Sequence, residues 1–141
     1  MIVPDINLLV YAYNSGVANH AKARRWWEDT VNGDRRVGLP WVVVNGFVRL
    51  MTNPKVVTPP MSAPAAVDFV KSWFQYAHII PVNPGVRHLE YLRQNLDAVG
   101  VGANLVTDAH IAAVAMEYQA EVHSNDEDFS RFPGLRWVNP L

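Results

Sequence analysis

The stretch LVTDAHIAAVAMEYQAEVHSNDEDF, residues 105–129, decides the fold. Apolar residues recur at helical spacing after Asp108, so this acid is expected at a helix N-terminus, where the helix dipole favours a negative charge. Residues 120–124 then have the composition of a strand. A helix of about eleven residues advances ~16 Å and a strand of about five residues returns a similar distance, so Asp126 is predicted to lie near Asp108.

A helix followed by a strand places both acids at one end of a sheet, and ligands of open α/β sheets bind at the carboxyl ends of the strands. Asp5 ends an apolar strand predicted at residues 2–5 and is a third acid expected at this edge. Taken singly, Asp108 is better explained as a helix cap, and Asp126 as a turn residue, than as a functional acid. Their predicted convergence is what indicates a functional site.

Length and composition set the class of protein. The chain has 141 residues, of which 50% are hydrophobic and 18% charged, so we expect one domain over residues 1–141. A net charge of −1 means that a polyanion would have to be bound by a local patch, for which Arg24, Arg25 and Arg49 are candidates. The absence of cysteine excludes disulfides and thiolate catalysis. No signal peptide or membrane span is apparent, so a cytoplasmic location is expected.

Strand and helix patterns alternate along the chain, which predicts a three-layer α/β/α sandwich with a mostly parallel central sheet. Two helices have buried faces that their apolar spacing predicts. The helix at residues 65–77 is expected to bury Val67, Val70, Phe74 and Ala77. The helix after Pro84-Gly85 is expected to bury Val86, Leu89, Leu92 and Leu96. Further strands are predicted at residues 36–39, 78–82 and 135–138.

Three neighbouring carboxylates repel one another and stay ionised only with a cation between them. Oxygen ligands select Mg²⁺ or Mn²⁺, and such ions activate water and neutralise a phosphodiester under attack. Other chemistries fit less well. No Gly-x-Ser-x-Gly elbow occurs, the lysines are not placed as in a receiver domain, and the five histidines lack metal-ligand spacing.

Four motifs together resemble those of a known family: Asp5-Ile-Asn7, Phe47-Val-Arg-Leu50 with Thr52-Asn-Pro54, Asp108-Ala-His-Ile-Ala-Ala113, and Asn125-Asp-Glu-Asp-Phe129. They are similar to the motifs of PIN-domain ribonucleases, in particular VapC toxins, in order and at the right spacing over nearly the whole chain. The resemblance implies a Mg²⁺-dependent endoribonuclease, with Mn²⁺ able to substitute. It would be the toxin of a type II toxin–antitoxin pair, cleaving cellular RNA, often tRNA, until a VapB-like antitoxin occupies it. PIN toxins of this kind commonly form homodimers.

The resemblance also assigns the site. Asp5, Asp108 and Asp126 correspond to the catalytic, metal-binding acids of the family, with Asn7 and Asp128 in supporting positions. One position departs from the pattern, because Gly46 stands where the family usually has a glutamate. A carboxylate at this position is expected to point into the acid cluster. The departure keeps open an alternative, a catalytically silent PIN-like module that binds RNA or a partner without cutting.

Overall fold

The computed structural model describes residues 1–141, and a five-stranded parallel sheet lies at its centre. The strands follow the order β3-β2-β1-β4-β5, and all four pairings are parallel. The predicted α/β class is confirmed, and the sheet is parallel throughout. The strands are β1 (Ile2–Pro4), β2 (Val37–Pro40), β3 (Ile79–Val82), β4 (Glu121–His123) and β5 (Arg136–Val138). The helices are α1 (Ile6–Tyr13), α2 (His20–Val31), α3 (Trp41–Met51), α4 (Ala63–Trp73), α5 (His88–Val99) and α6 (Val106–Glu117), with 3-10 turns at Ala103–Leu105 and Glu127–Arg131.

The central pair of strands positions the acids. In β1 and β4, Ile2 is aligned with Glu121 and Pro4 with His123. The backbone N–H of Asp5 continues this ladder by donating to the carbonyl of His123 at 2.9 Å. Because parallel strands end at the same edge of the sheet, the residues that follow β1 and β4 meet there.

Helix α6 packs between α5 and β4 and contacts both. Its residues at 109 and 111–115 are all buried, and four of these six are alanines. Short side chains on several faces allow sheet and helices to approach it closely, which explains why the helix has no single apolar stripe. No helix of the chain is both long and apolar enough to span a bilayer.

The predicted buried face of α4 is partly wrong. The helix begins at Ala63, where the Ser62 side chain caps it by accepting the N–H of Ala65 at 3.2 Å, and it ends at Trp73; both ends are earlier than expected. Trp73 fills the core, whereas Val67 is 45% exposed. Ala77 lies beyond the helix and is also exposed.

The predicted face of α5 is also partly wrong. Val86 precedes the helix and is fully exposed, and Leu89 is 74% exposed. Leu92 and Leu96, the other two predicted residues, do pack against the core. Two polar side chains also turn towards α6: His88 is within 3.0 Å of His110, and the Asn95 amide donates to a backbone carbonyl of α6 at 3.1 Å. Hydrogen bonds and apolar packing therefore orient this helix together.

Candidate active site

Asp5 is the most tightly held of the acids. It caps α1, and its Oδ1 accepts the N–H of Ile6 at 2.7 Å. Its Oδ2 accepts the hydroxyl of Ser124 at 2.8 Å, and the residue is only 3% exposed. Burial raises the pKa of Asp5 to about 6, against the opposing effect of these hydrogen bonds. The carboxylate therefore has a fixed position and is costly to ionise.

Ser124 joins two of the acids. Its Oγ donates to Asp5 and accepts the backbone N–H of Asp126 at 2.9 Å, and the residue is fully buried. The sequence analysis missed this residue. A short hydroxyl residue at the end of a buried strand, two positions before an acid, is the signal from which it could have been found.

Asp126 follows β4 and begins the 3-10 turn Glu127–Arg131. Its Oδ1 accepts the N–H of Asp128 at 2.9 Å. Asp128 in turn pairs with Arg131 at 3.4 Å, in an exposed contact that contributes little stability. Asp128, predicted in a supporting position, therefore lies beside Asp126 and has Arg131 as its basic partner.

Asp108 lies in the first turn of α6, as the helical spacing predicts. It is half-buried, and its carboxylate makes no hydrogen bond or ion pair within the chain. Burial, followed by the charges of Asp5, Asp126 and Asp128, raises the pKa of Asp108 to about 7. Since each of these charges acts on Asp108, the structure brings the three predicted acids to one edge of the sheet, with Asp128 beside them.

The donor set suits a hard divalent cation. The charges of Asp5, Asp126 and Asp128 all act on Asp108, and no lysine, arginine or histidine pairs with Asp5, Asp108 or Asp126. Oxygen-only ligands of this kind favour Mg²⁺ and Mn²⁺. No three acidic or histidine side chains are arranged so that they could hold an ion as they stand. Binding therefore requires side-chain movement, for which half-buried Asp108 and Asp126 have more freedom than Asp5.

The other predicted residues divide into two groups. The Asn7 side chain makes no hydrogen bond to an acid, and only its backbone N–H acts on Asp5. Arg24 is occupied by Glu28 at 2.8 Å, whereas Arg25 and Arg49 make no ion pair and are exposed. Of the candidate RNA-binding arginines, Arg25 and Arg49 are therefore free to meet a polyanion.

Gly46 lies against the side chain of Ile6, the residue that follows Asp5. A Cβ built at this position would lie 2.6, 2.9 and 3.1 Å from Cδ1, Cγ1 and Cγ2 of Ile6, and these are its three nearest neighbours. Ile6, the residue that follows Asp5, occupies the space that a side chain at this position would enter, and the expected direction of a carboxylate here stays a prediction. A Gly46→Glu substitution on its own has no room.

A cleft that none of the three acids lines lies on one side of the sheet. It has a volume of about 590 Å³ between α2 and the sheet, with Arg25 and Trp26 on one wall and Ile2 and His123 on the other. The Trp26 indole donates to His123 Nδ1 at 3.0 Å, which fixes that wall. Ile2 begins β1 and His123 ends β4, so the cleft runs along these two strands, and none of the three acids lines it.

Comparison with known proteins identifies the family. The profile described as "PIN domain" matches residues 2–135. Ribonuclease VapC33 of Mycobacterium tuberculosis is 42% identical over 141 residues, covering 100% of this chain and 99% of the relative. The chain belongs to the VapC family of PIN-domain ribonucleases. Ribonuclease VapC37 of the same organism is also 42% identical, over 140 residues that cover 99% of this chain and 97% of the relative.

Solved structures agree on the VapC fold. The VapBC2 structure from Rickettsia felis, bound to a promoter DNA fragment, superposes with a TM-score of 0.67 at 19% identity, covering 99% of this chain and 98% of that one. VapC20 of Mycobacterium tuberculosis, described as a sarcin-ricin loop cleaving toxin, gives a TM-score of 0.63 at 20% identity, covering 96% and 99%. At this identity the likeness establishes the PIN fold alone.

Proposed function

We propose that this VapC-family chain is a Mg²⁺-dependent endoribonuclease that acts as the toxin of a toxin–antitoxin pair. The observation that carries the proposal is the group of Asp5, Asp108 and Asp126 at the carboxyl edge of the sheet, where their charges act on one another and no basic side chain pairs with them. Such an arrangement is expensive unless a cation is bound. The VapC family supplies the reaction class.

Asp5, Asp108 and Asp126 would hold the ion, with Asp128 outside them. When bound, a divalent ion lowers the pKa of a water molecule and neutralises charge on a phosphodiester. The chain contributes preorganisation: Ser124 and the N–H of Ile6 hold both oxygens of Asp5, and the N–H of Asp128 holds one oxygen of Asp126. One oxygen of Asp126 and both of Asp108 are left free of protein donors.

The proposed substrate is cellular RNA, with tRNA as one candidate. A chain of net charge −1 binds RNA only through local cations, and Arg25 and Arg49 have no acidic partner. A VapB-like antitoxin is the proposed inhibitor, in line with the VapBC complexes among the structural neighbours. We further propose that the chain forms a homodimer, which light scattering on the purified protein tests.

Induced expression in a bacterial host tests the toxin assignment. We expect growth arrest together with new RNA 5′ ends at a small number of positions, and relief of both when the cognate antitoxin is co-expressed. Asp126→Asn is the matched control and should cause neither effect. If the wild-type chain binds RNA but produces no new RNA 5′ ends, it is instead the catalytically silent RNA-binding module that glycine at position 46 keeps open.

A further inference from the structure

We propose that Gly46 and Ile6 are a coupled positioning pair that sets the place of Asp5. The inference rests on the proposed function, because Asp5 is a ligand there. Gly46 is buried in the middle of α3, where glycine is a poor helix former. Ile6 is the first residue of α1 and directly follows Asp5. The side chain of Ile6 lies over Gly46, so the two helices meet at the point where α1 begins.

A side chain at position 46 would collide with Ile6 unless Ile6 moves. A Cβ there would lie 2.6 Å from Cδ1 of Ile6, 2.9 Å from Cγ1 and 3.1 Å from Cγ2. Cδ1 is the end of the side chain and can rotate away. Cγ1 and Cγ2 are both attached to the Cβ of Ile6, so they move only if its χ1 changes or its backbone shifts. A β-branched residue in a helix has one strongly preferred χ1, which leaves the backbone to move.

A shift of Ile6 is passed on to Asp5 in two ways. The residues are joined by a peptide bond, and the N–H of Ile6 donates to Asp5 Oδ1 at 2.7 Å. The other oxygen of Asp5 is tied to Ser124 on β4, which does not belong to α1. Moving α1 therefore displaces the hydrogen bond to Ile6 relative to the hydrogen bond to Ser124, and the carboxylate of Asp5 cannot keep both in place. Gly46 acts through Ile6 on a residue of the site without touching it.

The test compares wild type with Gly46→Ala, Ile6→Ala and the double variant Ile6→Ala/Gly46→Ala. Asn45→Ala is the matched control, because Asn45 is the exposed neighbour of Gly46 on the same helix. Mn²⁺ affinity is measured by calorimetry, and kcat and KM are measured on one RNA. We expect Gly46→Ala to weaken Mn²⁺ binding about tenfold, as loss of a supporting residue does at metal sites. It should lower kcat by about tenfold or more without changing the KM for RNA.

Removing the Ile6 side chain should remove the conflict. The Mn²⁺ affinity of the double variant is expected to equal that of Ile6→Ala, whereas the affinity of Gly46→Ala is expected to fall below that of wild type. Asn45→Ala should bind Mn²⁺ with wild-type affinity. The proposal is overturned if Gly46→Ala binds Mn²⁺ with wild-type affinity. It is also overturned if the double variant binds Mn²⁺ more weakly than Ile6→Ala. If Gly46→Ala fails to fold, the comparison of the double variant with Ile6→Ala decides alone. Absence of RNA cleavage in every protein would count against the proposed function, while Mn²⁺ affinity would still test the pair.

Discussion

Replacing Asp108 with asparagine removes one charge from the acid cluster and keeps the shape of the side chain. The pKa of Asp108 is raised from 3.8 to about 7, chiefly by burial and then by the charges of Asp5, Asp126 and Asp128. Each unit corresponds to about 1.4 kcal/mol, so the ionised group costs at most ~4 kcal/mol of folding free energy. Because Asp108 is only half-buried, solvent screening reduces this to ~2 kcal/mol.

The substitution also has a cost, because Asp108 lies in the first turn of α6 and interacts favourably with the helix dipole, by ~0.5 kcal/mol. In chelator at about pH 8, Asp108→Asn should therefore be more stable than wild type by ~1.5 kcal/mol, a rise in Tm of ~5 °C. The folded-state pKa of Asp108 lies above its unfolded value of 3.8, so its contribution favours folding below that pH and is lost as the pH rises to about 7. The advantage of the variant should disappear at low pH.

Thermal unfolding by calorimetry measures the difference in stability between Asp108→Asn and wild type, both in chelator and in excess Mn²⁺. An ion at ~100 times its dissociation constant stabilises wild type by ~2.7 kcal/mol, so Mn²⁺ should reverse the order of the two proteins. Asp68→Asn is the control, since Asp68 is an exposed acid of α4 without an ion pair. If Asp108→Asn is no more stable than wild type in chelator at about pH 8, burial and the neighbouring carboxylates do not penalise the ionised form of Asp108.

Three further predictions concern the acids and the binding of RNA. Ser124→Ala should lower the free energy of unfolding by ~1–3 kcal/mol in urea titrations, because a buried oxygen of Asp5 and a backbone N–H lose their partner. Mn²⁺ affinity, measured by calorimetry, should rise from about pH 5.5 to 7.5, since the ligands must be deprotonated and the pKa values of Asp5 and Asp108 are raised to about 6 and about 7. Arg25→Gln should reduce the salt dependence of RNA binding by about one unit of slope, whereas Arg24→Gln, which removes an arginine already paired within α2, should leave it unchanged.

The order of the elements and the parallel sheet follow from local sequence patterns. Strand and helix signals alternate, and the lengths of α6 and β4 return Asp126 to the level of Asp108. The helix dipole and the end of β1 likewise place Asp108 and Asp5 without any knowledge of tertiary contacts. These are features that depend on neighbours in the chain.

What the sequence could not reveal depends on contacts between distant residues. Ser124 and Asp5 are 119 positions apart, and their hydrogen bond exists only after β1 and β4 pair. The contact of His88 with His110 joins α5 to α6 across 22 positions, and Leu89 is exposed although it is apolar. Gly46 looked like a lost ligand, and only the packing of Ile6 against it explains why a side chain has no room there.

Metal-dependent cleavage of RNA by the purified chain, freed of antitoxin, tests the central claim most directly. Wild type should cut a structured RNA at defined positions with Mg²⁺ or Mn²⁺, stop in chelator, and recover when either ion is added back. A variant with Asp5, Asp108 and Asp126 all replaced by asparagine should cut under none of these conditions. Cleavage that persists in chelator, or that survives in the triple variant, would contradict the assignment of this edge as the metal-dependent site.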